Sequence, residues 1–130
     1  MADHLNILVV DDEPIVCQLI VDILSLEGHT VKTCSRGQEA LACFQDNGDF
    51  NLVFLDLGLP DVDGFQVMAE IRQRSPSVLI VIITGDATID TAVEALKSGA
   101  YDYLRKPFYT EDLLKTVKNA LDHKILDESR

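Results

Sequence analysis

Five short apolar runs alternate with stretches of helical period along the chain, and this alternation constrains the fold more than any other property. The runs are Asn6 to Val10, His29 to Cys34, Asn51 to Leu55, Val78 to Ile83 and Tyr101 to Leu104. The first, third and fourth are near-continuous in Val, Ile and Leu, as in parallel strands covered on both faces. The first predicted helix begins at Pro14, a favoured first-turn residue, carries Ile15, Val16, Leu19, Ile20, Ile23 and Leu24 on one side, and stops at Gly28. The second runs from about Gly37 to Asp46 with Ala40, Leu41 and Phe44 inward, and stops at Gly48. A third, from Gly64, turns Phe65, Met68 and Ile71 inward before Ser75 and Pro76 break it; a fourth, from about Ile89, uses Ala92, Val93 and Leu96 and ends at Gly99. The fifth opens at Thr110, an N-cap followed by the first-turn acids Glu111 and Asp112. Strand then helix, five times over, predicts an α/β fold: an open doubly wound sheet of five parallel strands with five helices, because right-handed crossovers place helices on both faces.

At 130 residues the chain has the size of one domain, and 47% hydrophobic content rules out a disordered tail. Its longest apolar stretch, Val78 to Ile83, is far too short to cross a bilayer, so a soluble protein with no membrane contact is expected. The start, Met1 to His4, lacks the basic region and apolar core of a secretion signal, which points to the cytoplasm. Cys17, Cys34 and Cys43 form no Cys-x-x-Cys pair and read as small buried apolar residues in a reducing compartment. His4, His29 and His123 have no ligand spacing and read as surface residues. The formal net charge of -11 repels a phosphate backbone, so no direct nucleic-acid binding by this segment is expected.

In an open α/β sheet, ligands sit outside the carboxyl ends of the strands. Asp11, Asp12, Asp56, Thr84 and Lys106 all fall at such ends, with Glu13 following directly. At an effective dielectric near 20, two carboxylates about 4 to 5 Å apart repel by roughly 3 to 4 kcal/mol, so the cluster calls for a counter-charge. A divalent cation and Lys106 would supply it, and oxygen ligands, cation, hydroxyl and lysine together describe phosphoryl chemistry. Singly, each residue has a plainer role: Asp11 and Asp12 as caps for the helix at Pro14, Thr84 as a strand end, Lys106 as a solvated charge. It is the set of five at matching positions that carries the reading. The segment Asp61 to Gly64 is similar to a calcium loop, but Leu59 holds the first ligand position and a strand precedes it, so a turn launching the third helix is expected.

In their order and spacing these residues resemble the receiver domain of two-component response regulators, over about Leu5 to Leu121. The stretch Ala92 to Phe108 is particularly similar to receivers of transcriptional activators that carry an ATPase domain. The resemblance implies a flavodoxin-like strand order 2-1-3-4-5. It also implies that Asp56 accepts a phosphoryl group from a phosphohistidine on a sensor histidine kinase or phosphotransfer protein. Mg2+ would be held by Asp11, Asp12, Asp56 and the Gly58 carbonyl, and Thr84 and Lys106 would contact the phosphoryl oxygens. Thr84, Tyr103 and Pro107 form the implied switch, with a cis bond before Pro107. The fourth helix, last strand and fifth helix, roughly Ile89 to Leu121, form the implied contact face for an output partner or a second copy. Gly58 and Asp86 border the path of attacking water.

A stripe of Leu114, Val117, Leu121 and Ile125 continues the helical period, so residues 1 to 122 are expected to form the receiver and 123 to 130 a helical extension or linker to an output domain. The competing reading is a Mg2+-dependent phosphohydrolase with an aspartate nucleophile. Its motif needs a second acid two residues after the nucleophile, where this chain has Gly58.

Overall fold

The structure, a computed structural model, describes residues 4–45, 49–85 and 89–128. Met1, Asp46, Gly48 and Asp86, named above, and residues 129 and 130 of the expected extension lie outside the described residues. The elements follow the expected order: β1 (Asn6–Val10), α1 (Pro14–Leu26), β2 (Thr30–Cys34), α2 (Gly37–Gln45), β3 (Leu52–Asp56), α3 (Gly64–Arg74), β4 (Leu79–Thr84), α4 (Ile89–Lys97), β5 (Asp102–Arg105) and α5 (Thr110–Glu128). All strand pairings are parallel, in the order β2-β1-β3-β4-β5. Strand boundaries move by a residue from the sequence reading, so that Asp56 and Thr84 are the last residues of β3 and β4.

Alternation along the central strands divides the core into two layers. Leu8, Val10, Val53, Leu55, Ile80 and Ile82 face one way and pack with Ala40, Leu41, Val67, Met68, Ile71 and Ala95 from α2, α3 and α4. Ile7, Val9, Leu52, Phe54, Val81 and Ile83 face the other way, against Ile20 and Leu24 of α1 and Leu113, Val117 and Ala120 of α5. With β1 and β3 fully covered, the carboxyl-end residues of both strands are held rigidly at one sheet edge.

Helix orientation departs from expectation in three places, the first two on α1 and α4. On α1, Ile20 and Leu24 are buried, but Ile15 is 84% exposed and Leu19 45%. On α4 the buried residue is Ala95, while Val93 and Leu96 are 44% and 50% exposed. In both helices the apolar stripe is wider than the strip covered by the sheet. The α5 stripe is likewise rotated: Leu113, Thr116, Val117 and Ala120 are buried, Leu114 and Leu121 half-buried, and Ile125 exposed.

Candidate functional site

The ladder between β1 and β2 runs one step past β1, where Asp11 N–H donates to the Cys34 carbonyl at 3.1 Å. This step carries the Asp11 side chain into the interior, where the residue is 1% exposed. Its Oδ1 accepts the Glu13 N–H at 2.9 Å, tightening the turn into α1. Pro14 occupies the first turn of that helix as predicted. Across the sheet Asp56 is 5% exposed, and its Oδ1 accepts the Gly58 N–H at 2.9 Å. Asp12 is exposed at the mouth. Carboxylate oxygens of Asp11, Asp12 and Asp56 lie within 4.8 Å of one another.

Lys106 arrives from the far side. Its backbone N–H donates to the Thr84 carbonyl at 2.9 Å, extending the β4–β5 ladder, and the Lys106–Pro107 peptide bond is cis. The ammonium reaches three carboxylates: Asp11 Oδ2 at 2.7 Å, Glu13 Oε1 at 2.8 Å and Asp56 Oδ2 at 3.1 Å. The contact to Asp11 Oδ2 is an ion pair without hydrogen-bond geometry, which leaves that buried oxygen with no donor among the described residues. A buried carboxylate oxygen lacking a donor, beside two more carboxylates, is an all-oxygen donor set suited to a small hard divalent cation.

Charge and burial pull the pair in different directions. Burial pushes the Asp11 carboxyl above its usual range, and the Asp56 charge adds to this against the pull of Lys106 and the Glu13 N–H. For Lys106, burial works downward, but its close contacts with the Asp11, Glu13 and Asp56 carboxylates outweigh it and the ammonium is held well above its ordinary value. Three carboxylates share the one ammonium and keep it charged.

Thr84 is buried at the end of β4. Tyr103 pairs with Ile82 in register, so Thr84, two residues on, shares its sheet face. Tyr103 is half-buried against the layer under α2, α3 and α4, and Pro107 is exposed. The sequence-predicted set Asp11, Asp12, Asp56 and Lys106 is therefore brought together in one pocket, with Gly58 at its rim. Thr84 and Tyr103 lie on the strands beside it.

Two contributors were not legible in the sequence. Glu13, read only as the third acid of a run, is a direct partner of Lys106. Asp61, in the rejected calcium-like segment, reaches 23 and 24 residues back to accept the Gln38 and Gly37 N–H groups at 3.1 and 3.0 Å. It thus fastens the loop after Asp56 to the start of α2. A Cβ on Gly37 would overlap Val62 and come within 2.8 Å of Val67, so only glycine fits that junction. Asp63 caps α3 through the Phe65 N–H at 3.0 Å, as expected of a turn launching a helix.

Cys34 is buried as predicted, and burial pushes its thiol up to about 12. Cys17 and Cys43 are only half-buried, and Cys17 Sγ donates to the Asp11 carbonyl at 3.3 Å. His29 corrects the surface reading: it is half-buried, and its Nδ1 accepts the Leu5 N–H at 3.0 Å. His4 and His123 are exposed, the latter with its ring edge against Tyr101.

Comparison with known proteins agrees with this geometry. Residues 7–118 match the response regulator receiver domain family. The chain is 39% identical to the transcriptional regulatory protein ZraR of Klebsiella oxytoca over 128 residues, covering 98% of this chain and 29% of ZraR. It is also 39% identical to the nitrogen assimilation regulatory protein NtrX of Azorhizobium caulinodans, over 90% of this chain and 26% of NtrX. Thus the chain spans less than a third of these curated relatives. Among solved structures, a CheY-like receiver domain protein from Methanospirillum hungatei superimposes with a TM-score of 0.89 at 31% identity, covering 96% of this chain and 99% of that one. NtrX from Brucella abortus superimposes with a TM-score of 0.89 at 38% identity, covering 98% of this chain and 29% of that one. With the doubly wound sheet, the acidic pocket at its carboxyl edge and a family match through nearly every element all in agreement, this chain belongs to the response regulator receiver domain family.

Proposed function

We propose that the chain is a phosphorylatable switch whose Asp56 takes a phosphoryl group from a phosphohistidine on a sensor histidine kinase or phosphotransfer protein. One observation carries the reading: the Lys106 ammonium reaches from β5 to both Asp11 and Asp56 at a single sheet edge. In the transfer an Asp56 carboxylate oxygen bonds phosphorus, the donor N–P bond breaks, and its electron pair returns to the imidazole ring. The phosphoryl group spreads its charge over its equatorial oxygens during this exchange. Lys106, held protonated by its carboxylate partners, neutralises part of that charge. Asp11, Asp12, Asp56 and the Gly58 carbonyl would hold Mg2+, which when bound supplies further positive charge to those oxygens and relieves the repulsion among the carboxylates.

The Thr84 hydroxyl then hydrogen-bonds a second phosphoryl oxygen, and Tyr103, on the same sheet face, follows it inward with the Lys106–Pro107 segment. The readout surface is the face of α4, β5 and α5, where Val93, Leu96 and Tyr109 are exposed. Phosphorylation shifts a pre-existing equilibrium there toward the form that binds an output partner or a second copy. Support for a second copy comes from a relative, the beryllofluoride-activated NtrC4 receiver domain, which is a dimer in solution and 37% identical to this chain. Residues 1 to 122 serve as the receiver body, and the last turns of α5, up to Glu128, continue it as a helical extension toward an output domain that regulates transcription, as in the regulators it resembles. The chain's own chemistry is limited to gaining and losing one phosphoryl group. No helix among the described residues is long and apolar enough to cross a membrane. The charge of -11 supports a domain that leaves nucleic-acid contact to another part of the protein, and phosphoryl transfer from a sensor kinase supports a cytoplasmic location.

Incubation with Mg2+ and acetyl phosphate, followed by intact-mass measurement, tests the reading. The wild type is expected to gain one phosphoryl group and Asp56→Asn none. An unmodified wild type, or an equal gain in the variant, overturns it.

A further inference from the structure

The residue before Pro14 holds the N-cap position of α1, a place where Ser, Thr, Asp or Asn normally turns its side chain back onto the helix N–H groups. Here the residue is Glu13, and its side chain makes no capping hydrogen bond. Asp11 accepts the backbone N–H of Glu13 instead, and the Glu13 carboxylate extends over the pocket to Lys106 Nζ at 2.8 Å, a contact that spans 93 residues of sequence. The three partners of Lys106 are not equivalent. The Asp11 and Asp56 side chains are 0% and 7% exposed, whereas that of Glu13 is 59% exposed. Asp11 and Asp56 also belong to the cation-binding cluster, and Glu13 does not. Of the three, Glu13 alone sits at the mouth, free to swing away without disturbing packing.

The geometry points to Glu13 as a positioning residue, a displaceable latch that holds the Lys106 ammonium in the unphosphorylated chain and must release it when a phosphoryl group arrives. This inference rests on the reading of Asp56 as phosphoacceptor. The incoming phosphoryl group is an anion competing for the same ammonium, and the Glu13 charge at the mouth repels it. The same charge attracts a divalent cation. Glu13 therefore favours the metal-bound resting site and slows phosphoryl entry, two effects of opposite sign from one carboxylate.

Glu13→Gln separates them, and the substitution removes no cap, so the fold is expected to stand. In metal-free protein the Lys106 side-chain ammonium signal in proton–nitrogen NMR spectra is expected to be visible in wild type and to broaden away in Glu13→Gln through faster solvent exchange. Mg2+ affinity by calorimetry is expected to weaken roughly five- to tenfold, the scale of losing one partly screened charge beside the cation. The phosphorylation rate with acetyl phosphate at saturating Mg2+ is expected to rise severalfold. Glu13→Asp, which keeps the charge on a shorter arm, is expected to retain Mg2+ affinity and lose the ammonium signal. An unchanged ammonium signal in Glu13→Gln, or a slower rate at saturating Mg2+, overturns the latch. Because the NMR and calorimetric readouts need no phosphoryl transfer, they judge it even if wild-type Asp56 takes no phosphoryl group.

Discussion

His29 shows how one half-buried side chain ties stability to pH. Its Nδ1 accepts the Leu5 N–H, so the neutral ring holds the start of β1 against the turn before β2. Burial lowers its proton affinity in the fold, with His4 adding to this and Glu27 opposing. The unfolded chain, with an ordinary imidazole near pH 6.5, binds the proton first as pH falls. The stabilisation is therefore complete above about pH 6.5 and is lost as pH drops through the folded value. In urea melts at a series of pH values, His29→Gln, whose amide oxygen can still accept from Leu5, is expected to show a flatter decline below pH 6.5 than wild type. The partly exposed ring limits the difference to under about 1 kcal/mol.

At the scale of elements, α2 and the loop after β3 act as one unit through Asp61. Desolvation pushes its carboxyl upward, but backbone N–H donors, Gln38 and Gly37 first among them, together outweigh this and hold it below the usual range. Asp61→Ala removes the acceptor for two N–H groups at the start of α2, and a lower midpoint in denaturant unfolding is expected, as for the loss of other helix caps. Asp61→Asn, which keeps one acceptor oxygen, is expected to lose less. Neither this contact nor the Glu13 latch was legible from local pattern, because each joins residues far apart in sequence. The strands were legible because Val, Ile and Leu runs buried on both faces leave little ambiguity. The carboxyl-edge residues were legible because strand topology alone carries Asp11, Asp56 and Lys106 to the same edge. Helical periodicity was less informative about burial: it identifies an apolar stripe, as on α1, and Ile15 and Leu19 show that the sheet covers only part of it.

For the whole molecule, the charge of -11 sets an electrostatic load that is most concentrated where Asp11, Asp12, Glu13 and Asp56 face one lysine. Asp12 is the exposed member of the cation cluster, so Asp12→Asn is expected to raise metal-free stability by roughly 1 kcal/mol, on the scale of one exposed like-charge contact. Mg2+ is expected to stabilise the wild type by about 2.7 kcal/mol at a hundredfold excess over its dissociation constant, and the variant by much less at the same concentration. Thermal melts with Mg2+, with EDTA and with matched monovalent salt check both, the last separating general screening from the specific site. The strand order also has a consequence for synthesis on the ribosome. The carboxylates at the ends of β1 and β3 emerge first, while Lys106 directly follows β5, the last strand of the sheet to be made. A nascent or truncated chain lacking β5 would carry the acids without their ammonium, so the ability to receive a signal would itself report that the final strand has docked.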